Sequence, residues 1–153
     1  MNSAPEARDA VKRELSAEVL RQFGEVSLRV TGTSMLPAVW PGDVITVRRQ
    51  SAAELPLGQI VLCYRNQAFS AHRLIGRCDD GLITHGDSLA YDDPPFREVE
   101  VLGAVISIDR GGRSVGLSPA WWHRAVSSIV QRSELCTRVL LRLRRLPRWS
   151  WAG

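Results

Sequence analysis

Between residues 25 and 117 the chain is cut into short β-rich runs by turn-forming residues at nearly regular intervals. The runs cover residues 26–30, 44–48, 60–64, 69–75, 82–84, 99–108 and 114–117. Between them stand Pro41-Gly42-Asp43, Pro56-Leu57-Gly58, Asp79-Asp80-Gly81, Asp93-Pro94-Pro95 and Gly111-Gly112. Branched and aromatic residues favour strands, while Gly, Pro and Asp supply the backbone angles of turns. No helical pattern alternates with these runs, so the region predicts an all-β barrel or sandwich and excludes a βαβ sheet. A chain of 153 residues is long enough for one domain with a core of its own.

The two ends read differently. In residues 9–23, Val11, Leu15, Val19 and Phe23 recur every four positions, with Asp9 at the start and Gly24 as a stop. This predicts a short amphipathic helix packing that face on the domain. At the other end, Ser118-Pro119 opens a second helical pattern, with Trp122, Val126, Ile129, Val130, Ser133, Cys136, Thr137, Leu140 and Leu143 on one face. Residues 119–153 hold seven Arg against the single Glu134, whereas residues 1–118 hold 13 Arg or Lys against 15 Asp or Glu. All the excess positive charge therefore lies in the tail. The organisation expected is an N-terminal helix over 1–24, a β-rich domain over 25–117 and a basic, Trp-rich helical tail over 118–153. An apolar face, arginines and interfacial tryptophans together predict peripheral contact of residues 118–153 with a membrane surface. No nucleic-acid partner is expected, because no recognised binding fold accompanies the charge.

The longest stretch without a charge, residues 30–42, has 13 residues and contains Pro37 and Pro41. A spanning helix needs roughly 20 apolar residues, so no span is expected. Residues 1–9 show no basic region followed by an apolar run, so no signal peptide is expected either. Cys63, Cys78 and Cys136 are odd in number and lack CxxC spacing, which argues against a disulfide framework and against zinc. The expected location is a reducing one, cytoplasmic or at the membrane periphery, and no metal or other cofactor is expected.

The chemistry concentrates at Gly32-Thr33-Ser34-Met35-Leu36-Pro37. A serine presented after a strand, on a glycine- and proline-bearing turn, suits exposure of its hydroxyl beside backbone N–H groups. A serine nucleophile needs a base, normally His or an uncharged Lys. Lys12 is the only lysine and belongs to the N-terminal helix, which disfavours a Ser–Lys pair. Of the three histidines, His72 lies in a strand run that puts Ser70, His72 and Leu74 on one face; His85 precedes a turn and His123 is in the tail. Asp87, Asp92 and Asp93 supply carboxylates that would orient an imidazole and stabilise its cation.

Taken in order, Gly32-Thr33-Ser34-Met35-Leu36-Pro37 with Gly42-Asp43, Ala71-His72-Arg73-Leu74-Ile75, and Thr84-His85-Gly86-Asp87 with Asp93 resemble the successive boxes of the type I signal peptidases. The match is nearest to the archaeal, endoplasmic-reticulum and sporulation-type branch, whose base is histidine. The related SOS-repressor-type self-cleaving peptidases share the serine box and the fold, but use lysine. The resemblance spans about residues 26–109, and Leu102-Gly103-Ala104-Val105 resembles a late strand of the family. It implies a β-barrel core, Ser34 as nucleophile and His72 as general base. Asp93 matches the acidic member, with Asp87 competing. Met35 shapes the site beside the nucleophile, Asp43 has a structural role, and His85 stands where the family often has lysine. Gly32 replaces a hydroxyl-bearing residue, so with Gly32 and Thr33 the oxyanion hole rests on backbone N–H groups, chiefly that of Ser34.

The expected function is thus a serine endopeptidase that cleaves a peptide or preprotein through an acyl-enzyme, the substrate docking as an added strand with small residues before the cut. The alternatives are an inactive relative that binds peptides or membranes, a leader-peptide processing peptidase, and a self-cleaving regulator. If histidine is the base, cleavage rises over about pH 6–7.5, since a reference imidazole titrates near ~6.5.

Overall fold

The computed structural model describes residues 3–117, and the basic tail expected over 118–153 lies outside the described residues. One helix, α1 (Ser3–Phe23), is followed by β1 (Glu25–Arg29), β2 (Val44–Arg49), β3 (Ile60–Arg65), β4 (Ala68–Cys78), β5 (Gly81–His85), β6 (Val101–Asp109) and β7 (Ser114–Val115). Each expected run forms a strand, within a few residues at its ends. All pairings are antiparallel, in the order β1-β2-β6-β3-β4-β5, with β7 added against β6. The fold is mainly β, as expected from the pattern. Its pairing path is open, however: β1 and β5 are the two ends of the sheet and do not pair with each other.

Position in the sheet follows from residue pattern. In β1, Glu25, Ser27 and Arg29 face out while Val26 and Leu28 turn inward, the alternation of a strand covered on one side. Ile60-Val61-Leu62-Cys63 of β3 and residues 101–105 of β6 are buried without alternation. These strands are central, and both their faces are covered. Leu62 belongs to a cluster with Ala17, Leu20, Met35, Ile45 and Val105. Its neighbours Val61 and Cys63 join Leu74, Leu82, Phe96 and Ala104 on the other side.

The helix packs by a different face from the one its periodicity suggested. Ala17 and Leu20 are fully buried, whereas Val11, Leu15 and Phe23 are 67%, 62% and 77% exposed. Val11, Leu15, Val19 and Phe23 form the more apolar stripe, but α1 packs across β1, β2, β4 and β6 through the narrower stripe of Ala17 and Leu20. Polar contacts fix that choice: Arg13 Nε donates to the Gln67 carbonyl at 2.6 Å, and Tyr64 Oη lies 2.6 Å from Glu14 Oε2. Gly24 ends the helix at φ +78°, its N–H bonded to the Leu20 carbonyl at 3.0 Å. The described helix is not long and apolar enough to cross a membrane.

Candidate active site

Ser34 sits in the loop that joins β1 to β2. The ladder between those strands runs one step further, with Val30 N–H on the Asp43 carbonyl at 2.8 Å and Gly42 N–H on the Val30 carbonyl at 2.7 Å. The neck of the loop is held by Asp43, which is fully buried. Its Oδ2 accepts the Trp40 N–H at 2.8 Å and Arg110 Nη2–H at 2.7 Å. The structural role expected for Asp43 is therefore explained by a partner the sequence did not point to, Arg110 at the end of β6.

A second turn, residues 86–88, cradles the nucleophile loop from the other side. Ser88 N–H donates to the Ser34 carbonyl and Ser88 Oγ to the Thr33 carbonyl, both at 2.9 Å. The Thr33 carbonyl also accepts the Leu36 N–H at 3.1 Å. In a trans peptide the N–H points opposite its carbonyl. Fixing the Thr33 carbonyl thus aims the Ser34 N–H away from this turn. The approach is close enough that a side chain on Gly86 would lie 2.9 Å from the Ser34 carbonyl oxygen and 2.7 Å from Leu89. Only glycine fits there.

His72 lies on β4 and its imidazole reaches both expected partners. In the tautomer that serves both contacts, Nε2 accepts the Ser34 hydroxyl at 2.8 Å and Nδ1–H donates to Asp93 Oδ2 at 2.6 Å. Ser70 Oγ lies 3.1 Å from the same Nδ1. Asp93 comes to this place because its segment runs back along the outer edge of β5. Its N–H bonds the Thr84 carbonyl at 2.9 Å, and Leu82 and Phe96 exchange backbone hydrogen bonds at 2.8 Å. From β3, Arg65 braces the same segment: its guanidinium donates to the carbonyls of Pro94 and Pro95, pairs with Glu100 at 2.8 Å, and lies over the Phe96 ring. Thr84 Oγ1–H donates to Asp93 Oδ2 at 2.5 Å.

Burial pushes the Asp93 carboxyl up, but the hydrogen bonds from His72 and Thr84 and the adjacent imidazoles outweigh it and hold the group below its ordinary value. Buried Cys63 is affected in the opposite sense: burial, with the Asp93 charge adding, pushes its thiol up to about 12, which keeps it protonated and unreactive.

The structure brings Ser34, His72 and Asp93 together and places Asp87 elsewhere. Asp87 is buried and engaged by Arg73, with Nε to Oδ1 at 2.9 Å and Nη2 to Oδ2 at 2.7 Å, while Arg73 Nη1 also reaches the Gly58 carbonyl. Adjacent residues of a strand point to opposite faces. His72 thus turns to the serine as Arg73 turns to the turn that holds it. His85 Nδ1 lies 2.8 Å from Asp92 Oδ1. Met35 is buried and, with Gly32, Thr31 and Val30, lines a cavity of about 870 Å³ that also contains Ser34 and His72. Leu28, Val39, Ile45, Ile60, Leu62, Phe69 and Ala71 give it apolar walls. Its other wall is α1, through Asp9, Lys12, Arg13 and Ser16. Lys12, which the sequence placed apart from the β region, therefore borders the same cavity; it is well exposed and 3.8 Å from Asp9. Among the described residues no group of three metal-ligating side chains converges. The sequence assigns no role to Thr84, Ser88, Gly86, Arg65 or Arg110, and only the first three, inside or beside a recognised box, carry any signal that points to them.

No family model matches the chain. Two curated proteins do: the LexA repressors of Lacticaseibacillus casei (strain BL23) and Lacticaseibacillus paracasei (strain ATCC 334) are each 33% identical over 84 residues. The match covers 54% of this chain and 39% of each relative, so the chain spans about two fifths of the length of the curated relatives it matches. The likeness is to the SOS-repressor side of the resemblance seen in the sequence.

Proposed function

We propose that this chain is a serine endopeptidase whose nucleophile is Ser34, with His72 as general base and Asp93 as the acidic member. The observation that carries the reading is the unbroken hydrogen-bonded chain from Ser34 Oγ through the His72 imidazole to the Asp93 carboxylate. Ser34 attacks the scissile carbonyl as its proton passes to His72 Nε2, and the tetrahedral oxyanion is held by backbone N–H groups, chiefly that of Ser34. His72 returns the proton to the leaving amine, giving an acyl-enzyme on Ser34, which water then hydrolyses with His72 again as base. Asp93 stabilises the imidazolium in both halves.

The substrate is an extended peptide segment, taken up by strand addition. Support comes from the cavity's two flanks: Val30 extends the edge strand β1 with Thr31 and Gly32 following it, and residues 68–72 of β4 lie before its pairing with β5 begins at Arg73. By resemblance to the signal peptidases the segment carries small residues before the cut, in a preprotein or a leader peptide. Peripheral membrane contact through residues 118–153 belongs to the same proposal.

A second reading rests on Lys12 at the cavity wall and on the LexA likeness: Lys12 as the base in a Ser–Lys pair. Incubation of a peptide library with the full chain, read by mass spectrometry, tests both. The expected result is cleavage that vanishes in Ser34→Ala and His72→Ala and persists in Lys12→Ala. Equal cleavage by wild type and Ser34→Ala removes the peptidase assignment.

A further inference from the structure

We propose that Thr84 is a positioning residue of the triad, its hydroxyl holding the Asp93 carboxylate so that Asp93, and not Ser70, receives the hydrogen bond from His72 Nδ1. The proposal rests on the peptidase reading for its kinetic consequence, but its geometric content stands apart from it. Thr84 is fully buried, and its hydroxyl donates to the same Oδ2 that receives the imidazole N–H. Its place follows from register. Thr84 pairs with Leu74, two residues beyond His72 on the same face of β4. His72 and Thr84 are therefore diagonal neighbours, with Cα atoms roughly 7–8 Å apart in such pairs. That gap accommodates one carboxylate between the two side chains.

Two acceptors stand within reach of His72 Nδ1: Asp93 Oδ2 at 2.6 Å and Ser70 Oγ at 3.1 Å. They are chemically unequal. A carboxylate orients the imidazole and stabilises its cation, whereas a serine hydroxyl only orients it. Asp93 is the end of an outward-facing loop in which Tyr91 is 86% exposed and the Asp92 side chain 57% exposed. Thr84 ties that end down twice, by its backbone carbonyl to the Asp93 N–H and by its hydroxyl to the carboxylate. Without the hydroxyl, Oδ2 loses one of its two donors, the side chain gains freedom toward solvent, and Ser70 becomes the competing partner.

Thr84→Val tests this, because it exchanges the hydroxyl for a methyl of nearly the same size, and Thr84→Ser restores the hydroxyl. The first readout is the proton NMR signal of His72 Nδ1–H in the full chain, assigned by its loss in His72→Ala. The expected result is a far-downfield signal in wild type and Thr84→Ser that moves upfield or exchanges away in Thr84→Val. The second readout is peptide cleavage. Thr84→Val should lower kcat by roughly 10-fold or more at unchanged KM, a share of the ~10²–10⁴ that a positioned acid–base group contributes. Thr84→Ser should recover most of it. If Thr84→Val folds poorly, Thr84→Ser against Thr84→Ala gives the same comparison, since both lack the methyl and differ in the hydroxyl. An unmoved Nδ1–H signal or an unchanged kcat in a folded variant lacking the hydroxyl overturns the proposal. Failure of the peptidase reading shows up separately, as cleavage that survives Ser34→Ala, and the NMR comparison still decides the role of Thr84.

Discussion

Asp87 and Asp93 stand six residues apart, both next to turn-forming residues, and a string of letters does not separate them. The fold does. Asp87 forms a buried two-point pair with Arg73, and Asp93 reaches the imidazole. The two isosteric substitutions should therefore fail in different ways. Asp93→Asn keeps the fold and loses most of the activity, because the amide no longer stabilises the imidazolium. Asp87→Asn strands part of a buried guanidinium and lowers stability by about 3–5 kcal/mol. Thermal unfolding and peptide cleavage measured on both variants check this, and the opposite ranking at equal stability exchanges the two roles. A pH consequence also belongs to Asp93. Because its folded carboxyl titrates below the ordinary value, its contribution to stability is fully present above an unfolded value of ~3.9 and is lost as pH falls through the lower folded one.

The elements were legible where one physical rule dominated. Strand positions followed from β-rich runs and turn chemistry, and the order of the boxes pointed to Ser34 and His72 but left Asp93 and Asp87 as competing acidic members. What the sequence did not disclose depends on register. Thr84 shares a face with His72 because β4 and β5 pair with an irregularity between Leu74 and Gly76, and Ser88 meets the Thr33 carbonyl only across 55 residues of chain. Periodicity also misjudged α1: apolar residues every four positions mark a stripe, but which stripe is covered depends on the shape of the sheet below. Leu20→Ala should accordingly cost about 2–5 kcal/mol, as deletion of a buried leucine does, and Leu15→Ala should stay within about 0.5 kcal/mol. Urea unfolding of the two variants distinguishes the faces. A larger loss at Leu15 would return the helix to the face its periodicity suggested.

Over the described residues, the sheet brings three separate chain segments together at one hydrogen-bonded site beside the cavity. The β1–β2 loop brings Ser34 and β4 brings His72 to its wall, α1 walls the far side, and the return along β5 brings Asp93 behind His72, on the imidazole's other nitrogen. The tail adds the remaining positive charge, +6 over residues 119–153. If it supplies membrane contact, the full chain co-sediments with anionic vesicles at low salt and is partly released as salt rises, since the electrostatic share is screened. A chain truncated after Gly116 then stays in the supernatant. Both forms remaining in the supernatant at low salt would give the tail a packing or partner role.

The account depends most on Ser34 being a nucleophile activated by His72. Labelling the full chain with a fluorophosphonate probe near neutral pH, and locating the adduct by mass spectrometry, tests this without knowledge of the substrate. The account predicts one adduct on Ser34 in wild type and in Lys12→Ala, and none in Ser34→Ala or His72→Ala. Labelling that survives in His72→Ala and disappears in Lys12→Ala would contradict it.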